Sequence, residues 1–191
     1  MSRTGKLVVI SGPSGAGKSS IVREVLARTD AFFSVSVTTR PPRPGEVDGS
    51  DYRFVDRPTF EKMIADGQLL EWAEVFGQYY GTPAEPVLQA LAAGRTVILQ
   101  IDVQGGRQVH RKMPQAAFVW VRPPGDAELR RRLTGRGTES PEALRRRLQT
   151  AQQENRAAKA SGVYTHIVIN DELNRAVQQV VEILTREQNP I

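Results

Sequence analysis

The residues best suited to chemistry form one run, Gly12-Pro13-Ser14-Gly15-Ala16-Gly17-Lys18-Ser19. Two glycines with four residues between them, followed directly by Lys and Ser, give the spacing of a phosphate-binding loop. The glycines let the backbone turn so that successive N–H groups face one anion. A helix opening near Lys18 adds unpaired N–H groups and the positive end of its dipole. Lys18 can then reach the β- and γ-phosphates, and the Ser19 hydroxyl can hold Mg²⁺. The bland alternative is a Gly/Ser surface turn. It does not account for the apolar run Leu7-Val8-Val9-Ile10 before the loop or the amphipathic run Ser20-Ile21-Val22-Arg23-Glu24-Val25-Leu26 after it. Strand, glycine loop and helix in that order imply a nucleoside triphosphate with Mg²⁺, and leave the second substrate to be found elsewhere.

Three groups are candidates for that second site. Arg40 and Arg43 lie three apart on Thr39-Arg40-Pro41-Pro42-Arg43-Pro44-Gly45. Guanidinium forks match phosphate oxygens, and a Pro-stiffened loop loses little freedom on binding; a solvated basic loop is the competing account. Tyr52 and Tyr80 can donate hydroxyls to the same phosphate, although a tyrosine ring packed with its hydroxyl outward is commoner. Glu71 sits among large apolar residues in Leu69-Leu70-Glu71-Trp72. A buried carboxylate needs donors. Guanine offers two on one edge, N1–H and the exocyclic amine, whereas adenine presents an acceptor at N1 and would be rejected. The pattern alone favours the other outcome, an outward residue of an alternating strand.

The elements that must hold these residues follow from periodicity. Residues 6–11 predict a buried strand and 18–28 a helix. Residues 32–38 predict a second strand and 51–55 a short one. Apolar spacing at Phe60, Met63 and Ile64 predicts a helix over 58–66, stopped by Gly67. Short strands are expected at 69–76 and around Tyr79-Tyr80, so that the strand-rich stretch 36–88 reads as an insertion. Alternation then resumes: helix 83–93, strand 96–101, helix 104–112, strand 117–121, helix 126–133, helix from Ser140-Pro141 to about 160, strand 167–169, helix 173–187. Strands alternating with helices imply an α/β fold with a parallel sheet covered on both faces.

Composition is compatible with this. The chain has 191 residues, 39% hydrophobic and 25% charged, which suits a single globular domain with inserted lobes. It has no cysteine, which excludes disulfides and thiolate metal sites. No apolar run approaches the ~20 residues of a spanning helix, and no signal-like apolar segment is seen near the N-terminus, so a cytoplasmic protein is expected. The net charge of +5 fits nucleic acid and a phosphorylated small substrate equally well.

The chain resembles the guanylate kinase family over nearly its whole length. The resemblance rests on Gly12–Ser19, on Ser34-Val35-Ser36-Val37-Thr38-Thr39-Arg40-Pro41-Pro42-Arg43-Pro44-Gly45-Glu46, and on Asp51-Tyr52-Arg53-Phe54-Val55. It continues through Glu71-Trp72-Ala73, Tyr79-Tyr80-Gly81-Thr82, Ile101-Asp102-Val103-Gln104-Gly105, Gly135-Arg136-Gly137-Thr138-Glu139 and Val168-Ile169-Asn170-Asp171. It implies a three-layer parallel sheet of P-loop NTPase type: a core (1–35, 89–125, 149–191), a strand-rich GMP-binding lobe (36–88) and a helical lid (126–148). It implies ATP on Gly12, Pro13, Ser14, Gly15, Ala16, Gly17, Lys18, Ser19 and Ser20, with Asn170 near the adenine or the lid hinge. Arg40, Arg43, Tyr52 and Tyr80 would hold the GMP phosphate, with Glu46 orienting the arginines. Ser36, Glu71, Thr82 and Asp102 would read guanine. Lys18, Arg40, Arg43, Arg132, Arg136 and Arg147 would act on the phosphates in transfer.

One position departs from the pattern. The family usually carries an acid before Ile101-Asp102, where this chain has Gln100. An acid at such a strand end holds Mg²⁺, often through water. Gln100 can bind a metal-bound water without adding charge, so Ser19 is the expected ligand, with Gln100 and Asp102 acting through water. The implied reaction is ATP + GMP = ADP + GDP, with small-molecule substrates and neither nucleic acid, membrane nor obligate protein partner. His110 and His166 are then structural or solvated, since an anionic phosphate acceptor needs no general base. Two other classes compete: a guanylate kinase-like binding module that has lost catalysis, and a nucleic-acid-binding protein. The intact loop and lid arginines oppose the first, and the lack of a nucleic-acid module opposes the second.

Overall fold

The computed structural model describes residues 5–134 and 141–186. Its nine strands and seven helices alternate for most of the chain. The parallel sheet has five strands in the order β2-β7-β1-β8-β9, and a second sheet has four in the order β4-β3-β6-β5, where β1 is Lys6–Ser11, β2 Phe32–Phe33, β3 Val37–Thr38, β4 Arg53–Phe54, β5 Leu69–Val75, β6 Gln78–Pro83, β7 Thr96–Gln100, β8 Ala117–Arg122 and β9 His166–Ile169. Two compact units divide the chain: residues 1–7, 31–99 and 104–116, and residues 8–30, 100–103 and 117–191.

In the second unit, β1 and β8 run parallel with Val8 opposite Ala117, and β8 and β9 run parallel with Val119 opposite His166. Val8, Val9 and Ile10 are fully buried, as are Val119 and Val121. Such unbroken apolar runs belong to strands covered on both faces. The edge strand β9 alternates instead, leaving Ile167 exposed and Val168 buried. Helix α1 (Lys18–Arg28) buries Ile21, Val22 and Val25 and packs against α7 (Leu173–Thr185), which buries Ala176, Val177, Val180, Ile183 and Leu184. Helices α5 (Asp126–Thr134) and α6 (Pro141–Ser161) close a cluster of Leu129, Leu133 and Ala151 with Leu144 and Leu148. The expected cap at Ser140 lies outside the described residues.

In the first unit, β2 pairs in parallel with β7. The small sheet is mixed: β3 is parallel to β4 and antiparallel to β6, and β6 is antiparallel to β5. Helix α2 (Arg57–Ala65) begins at an Asp56 cap whose carboxylate accepts the Thr59 N–H at 2.9 Å, with Pro58 in its first turn. Its Phe60 and Met63 join Val37 and Leu69 in the lobe's own core. Helix α3 (Ala84–Ala92) follows β6 directly and packs on β5, and α4 (Val103–Lys112) follows β7.

The single strand expected over 32–38 is two strands. The Ser34 N–H still donates to Ile98 O, but the Ser36 carbonyl already accepts the Arg53 N–H. The backbone changes partners between these residues, so β2 and β3 join different sheets.

Candidate functional site

Within the second unit, the loop between β1 and α1 is held by its own neighbours. Gly17 has φ +89°, and a Cβ there would overlap Asn170 Nδ2. At Gly12 a Cβ would overlap the Val121 carbonyl. Glycine is therefore required at both ends by close approach as well as by the turn. The buried Asn170 side chain donates from Nδ2 to Ala16 O at 2.8 Å. Arg132 reaches the same wall: its Nη2 donates to Asn170 O at 2.7 Å, and its Nε donates to Glu128 Oε1 at 2.7 Å. Gly17 caps α1 in a left-handed conformation and, having no side chain, supplies no cap bond to the first-turn N–H groups.

Lys18 Nζ donates to Gly12 O at 2.5 Å and Pro13 O at 3.0 Å, folding back along the loop. Burial pulls its pKa down to about 8 against the charges of Glu154 and Asp102, which favour the ammonium. A half-buried ammonium of this kind gains by meeting an anion. Gln100 at the end of β7 donates from Nε2 to Ser19 Oγ at 3.1 Å. Ser19 is thus flanked by a neutral amide, with Asp102 two residues further on. Hydroxyl, amide and carboxylate oxygens suit a hard cation that keeps water and leans on substrate phosphates. Among the described residues, no group of three or more His, Cys, Asp or Glu is placed to hold a metal ion by itself. From α6, Arg147 Nη2 donates to Ser14 Oγ at 3.3 Å.

Within the first unit, the Arg40 loop is organised around one carboxylate. Arg40 Nη2 donates to Glu46 Oε1 at 2.9 Å, and the Arg43 backbone N–H donates to Glu46 Oε2 at 2.7 Å. Burial opposes the charges of both partners. For Arg40 it is outweighed by Glu46, which raises the guanidinium pKa above its ordinary value. For Glu46 it is outweighed by the Arg43 N–H and the Arg40 guanidinium, which hold the carboxyl below the usual range. The Arg40 guanidinium lies 5.5 Å from the Tyr52 ring centroid, and the Tyr52 and Tyr80 rings meet edge-on at 6.0 Å. Burial, with Tyr80 close by, pushes the Tyr52 phenol pKa up. The result is a fixed cluster of two arginines and two phenols with one internal anion, a geometry suited to a phosphate dianion.

Glu71 points inward. It is 4% exposed and Thr82 is fully buried. They face each other across β5 and β6, and Thr82 Oγ1 donates to Glu71 Oε1 at 2.6 Å. From Glu71 onward the strand alternates regularly, with Glu71 and Ala73 inward and Trp72 and Glu74 outward, so the inner face is set by a small residue and an acid while the large Trp72 faces out, the reverse of what apolar size suggests. Ser36 lies just before β3 on the same sheet, its carbonyl bonded to Arg53.

Arg40, Arg43, Glu46, Tyr52 and Tyr80 therefore sit together, as do Glu71 and Thr82. The loop residues, Gln100, Asp102, Arg132, Arg147 and Asn170 belong to the second unit, and Asp102 is within electrostatic reach of Lys18. Arg136 lies outside the described residues. Two acids were not singled out from sequence: Glu128, which anchors Arg132, and Glu154, whose charge favours the Lys18 ammonium. The available signals were spacing on a helix, Glu128 four before Arg132 and Glu154 seven after Arg147.

A strand, a glycine loop closed by Lys-Ser, and a helix, set in a parallel α/β sheet, define a P-loop nucleotide-binding protein. The family model for guanylate kinase matches residues 4–187. A guanylate kinase of Nocardia farcinica is 52% identical over 95% of this chain and 94% of its own length. One from Thermus thermophilus is 49% identical over 96% of this chain and 82% of its own. The crystal structure of guanylate kinase from Anaplasma phagocytophilum matches with a TM-score of 0.81 at 31% identity, covering 98% of this chain and 88% of that one. The chain belongs to the guanylate kinase family.

Proposed function

We propose that the protein transfers the terminal phosphoryl group of ATP to GMP, giving ADP and GDP. The observation that carries the choice of acceptor is the buried Glu71 carboxylate bonded to Thr82. One carboxylate oxygen takes the Thr82 hydroxyl, and the group can accept the two donors on one edge of guanine. Adenine would set a lone pair against it, and a site built on buried hydrogen bonds rejects the wrong base strongly.

The division of labour follows from the two clusters. Gly12–Ser20 and Lys18 hold the triphosphate through backbone N–H groups and one ammonium, supported by Asn170 and Arg132. Arg40 and Arg43, fixed by Glu46, hold the acceptor phosphate with the Tyr52 and Tyr80 hydroxyls. Ser36, Glu71, Thr82 and Asp102 read the base. Arg132, Arg136 and Arg147 offset charge on the transferring group and help exclude water. Phosphoryl transfer leaves little covalent work to the protein, so catalysis is positioning and charge stabilisation. Ser19 would hold Mg²⁺, with Gln100 and Asp102 acting through water, and the ion would neutralise charge on the phosphates. Residues 36–88 are read as the GMP lobe, 126–148 as the lid, and 1–35, 89–125 and 149–191 as the core.

No helix among the described residues is long and apolar enough to cross a membrane. A cytoplasmic enzyme acting on small nucleotides, without nucleic acid, membrane or an obligate protein partner, is the reading adopted. A coupled assay of ADP formation with GMP, AMP and dTMP tests it. GMP-dependent turnover with little response to AMP or dTMP is expected. Absence of GMP-dependent ADP formation rejects the reading and leaves the non-catalytic binding module.

A further inference from the structure

Strand β5, which carries Glu71, stands at the end of its sheet, so one of its edges faces no other strand among the described residues. Helix α4 closes that edge with side chains, and both elements belong to the same compact unit. Gln108 Oε1 accepts the Trp72 N–H at 3.3 Å, and Gln108 Nε2 donates to Trp72 O at 2.6 Å. A primary amide sets an acceptor beside a donor, so Gln108 pairs with Trp72 as one residue of a further strand would. One helical turn on, Lys112 Nζ donates to Leu70 O. Residues four apart on a helix share a face, and residues two apart on a strand turn their backbone groups to the same edge. The helix therefore grips the strand at two points, Gln108 at Trp72 and Lys112 at Leu70. Cover for an open edge would by itself account for such bonds. Two observations ask more of them. Glu71 is the residue between the two that are held. The pairing of β5 with β6 is also irregular at this point: Leu69 stands opposite Pro83 and Glu71 opposite Thr82, which leaves no register partner on β6 for Leu70. The ladder is interrupted beside the carboxylate, and there the helix supplies the restraint.

We propose that Gln108 and Lys112 position Glu71 for base recognition by clamping its strand on either side of it. They are positioning residues, acting through Glu71 and not on the substrate. The proposal rests on the reading of Glu71 as the group that selects guanine. A carboxylate that accepts two donors of one base must be held within about 0.5 Å of its place. Thr82 restrains the side chain through Oε1, and the clamp restrains the backbone from which that side chain projects. Without the clamp, β5 can shift along or away from β6 at the irregular step, and the carboxylate moves with it. The cost falls on GMP, because the glycine loop takes no part in these contacts.

The test is steady-state kinetics of the full chain with each substrate varied, on the wild type, Gln108→Leu, Lys112→Met, Glu71→Gln, and each of the first two changes combined with Glu71→Gln. Leucine is close to glutamine in size and can neither donate nor accept. Gln108→Leu is expected to lower kcat/KM for GMP about tenfold, through KM for GMP, with KM for ATP unchanged. Lys112→Met should act in the same direction by a smaller factor, and it serves in both backgrounds if the leucine variant does not fold. Once Glu71→Gln has removed the carboxylate there is nothing left to position, so either change should then cost no more than about twofold. A purely structural role would cost the same in both backgrounds. The proposal is overturned by an unchanged KM for GMP in the single variants, by equal losses with and without the Glu71 carboxylate, or by a parallel rise in KM for ATP. If the wild-type chain forms no ADP with GMP, the reading of the acceptor site fails and this proposal with it, whereas failure in the variants alone leaves that reading standing.

Discussion

Glu71 carries the proposed choice of acceptor, and Lys18 the proposed hold on the triphosphate. Glu71 is buried and accepts the Thr82 hydroxyl. Glu71→Gln keeps the shape but turns an amide N–H₂ toward donor groups of the base. The kcat/KM for GMP should fall about 10²-fold, with little change in KM for ATP, and steady-state kinetics with each substrate varied checks this. Lys18→Met removes the ammonium that now folds onto Gly12 O and Pro13 O. It should lower kcat on the order of 10²-fold or more, as for other oriented charge stabilisers; near-normal turnover would remove the role. Gln100 places a neutral amide on Ser19 Oγ. Gln100→Glu puts a charge at that point, and half-maximal binding of ADP should then need several-fold less Mg²⁺. A Mg²⁺ titration of ADP binding that does not move would show that this position does not touch the metal's surroundings.

Elements explain why most of the site was legible before any coordinates, and where legibility stopped. The β1–loop–α1 unit follows from local signals: an unbroken apolar run, glycines where a Cβ would collide, and Lys-Ser opening a helix. The arginine loop was legible as a motif, and Glu46 as the group that orients it only through the family resemblance, because it acts by reaching back to a backbone N–H and a side chain at once. The inward face of Glu71 depends on Trp72 facing outward on an alternating strand, a tertiary fact that side-chain size does not carry. The partner change between Ser34 and Ser36 is another such fact, and it split one expected strand into two. Helix α5 adds a case with a pH signature. Arg131 and Arg132 hold the Glu128 carboxyl down at about 2, from 4.5. A depressed carboxyl contributes stability that is present in full above its unfolded value and is lost as pH falls through the folded one. Between about pH 4.5 and 2, α5 should therefore loosen from Ala16 and Asn170, which Arg132 bridges. In Glu128→Gln that part of the acid dependence of the melting temperature should flatten, while the variant starts lower at neutral pH. Melts followed by circular dichroism from pH 7 to 3 check this; parallel curves for the two proteins would refute it.

At the scale of the molecule, the two clusters belong to different compact units. The groups proposed for the triphosphate lie on residues 8–30, 100–103 and 117–191, and those proposed for the acceptor, Asp102 apart, lie within 31–99. Each unit has its own core: Val37, Phe60, Met63 and Leu69 in one, and Leu129, Leu133 and Ala151 in the other. A ligand stabilises whatever native structure it contacts, and local opening is suppressed where those contacts fall. Backbone amide exchange should therefore separate the substrates by unit. ATP with Mg²⁺ should slow exchange in the loop and first turn of α1, where the Gly17 cap supplies no side-chain bond. GMP alone should slow it around Arg40–Phe54 and along β5 and β6, where Glu46 already ties down the Arg43 N–H. In-line transfer requires both phosphates to be bound at once, so a dead-end pair, ADP with GMP, should protect both sets together. If GMP alone protected the glycine loop and left the arginine loop unchanged, the assignment of donor and acceptor to these two units would have to be reversed.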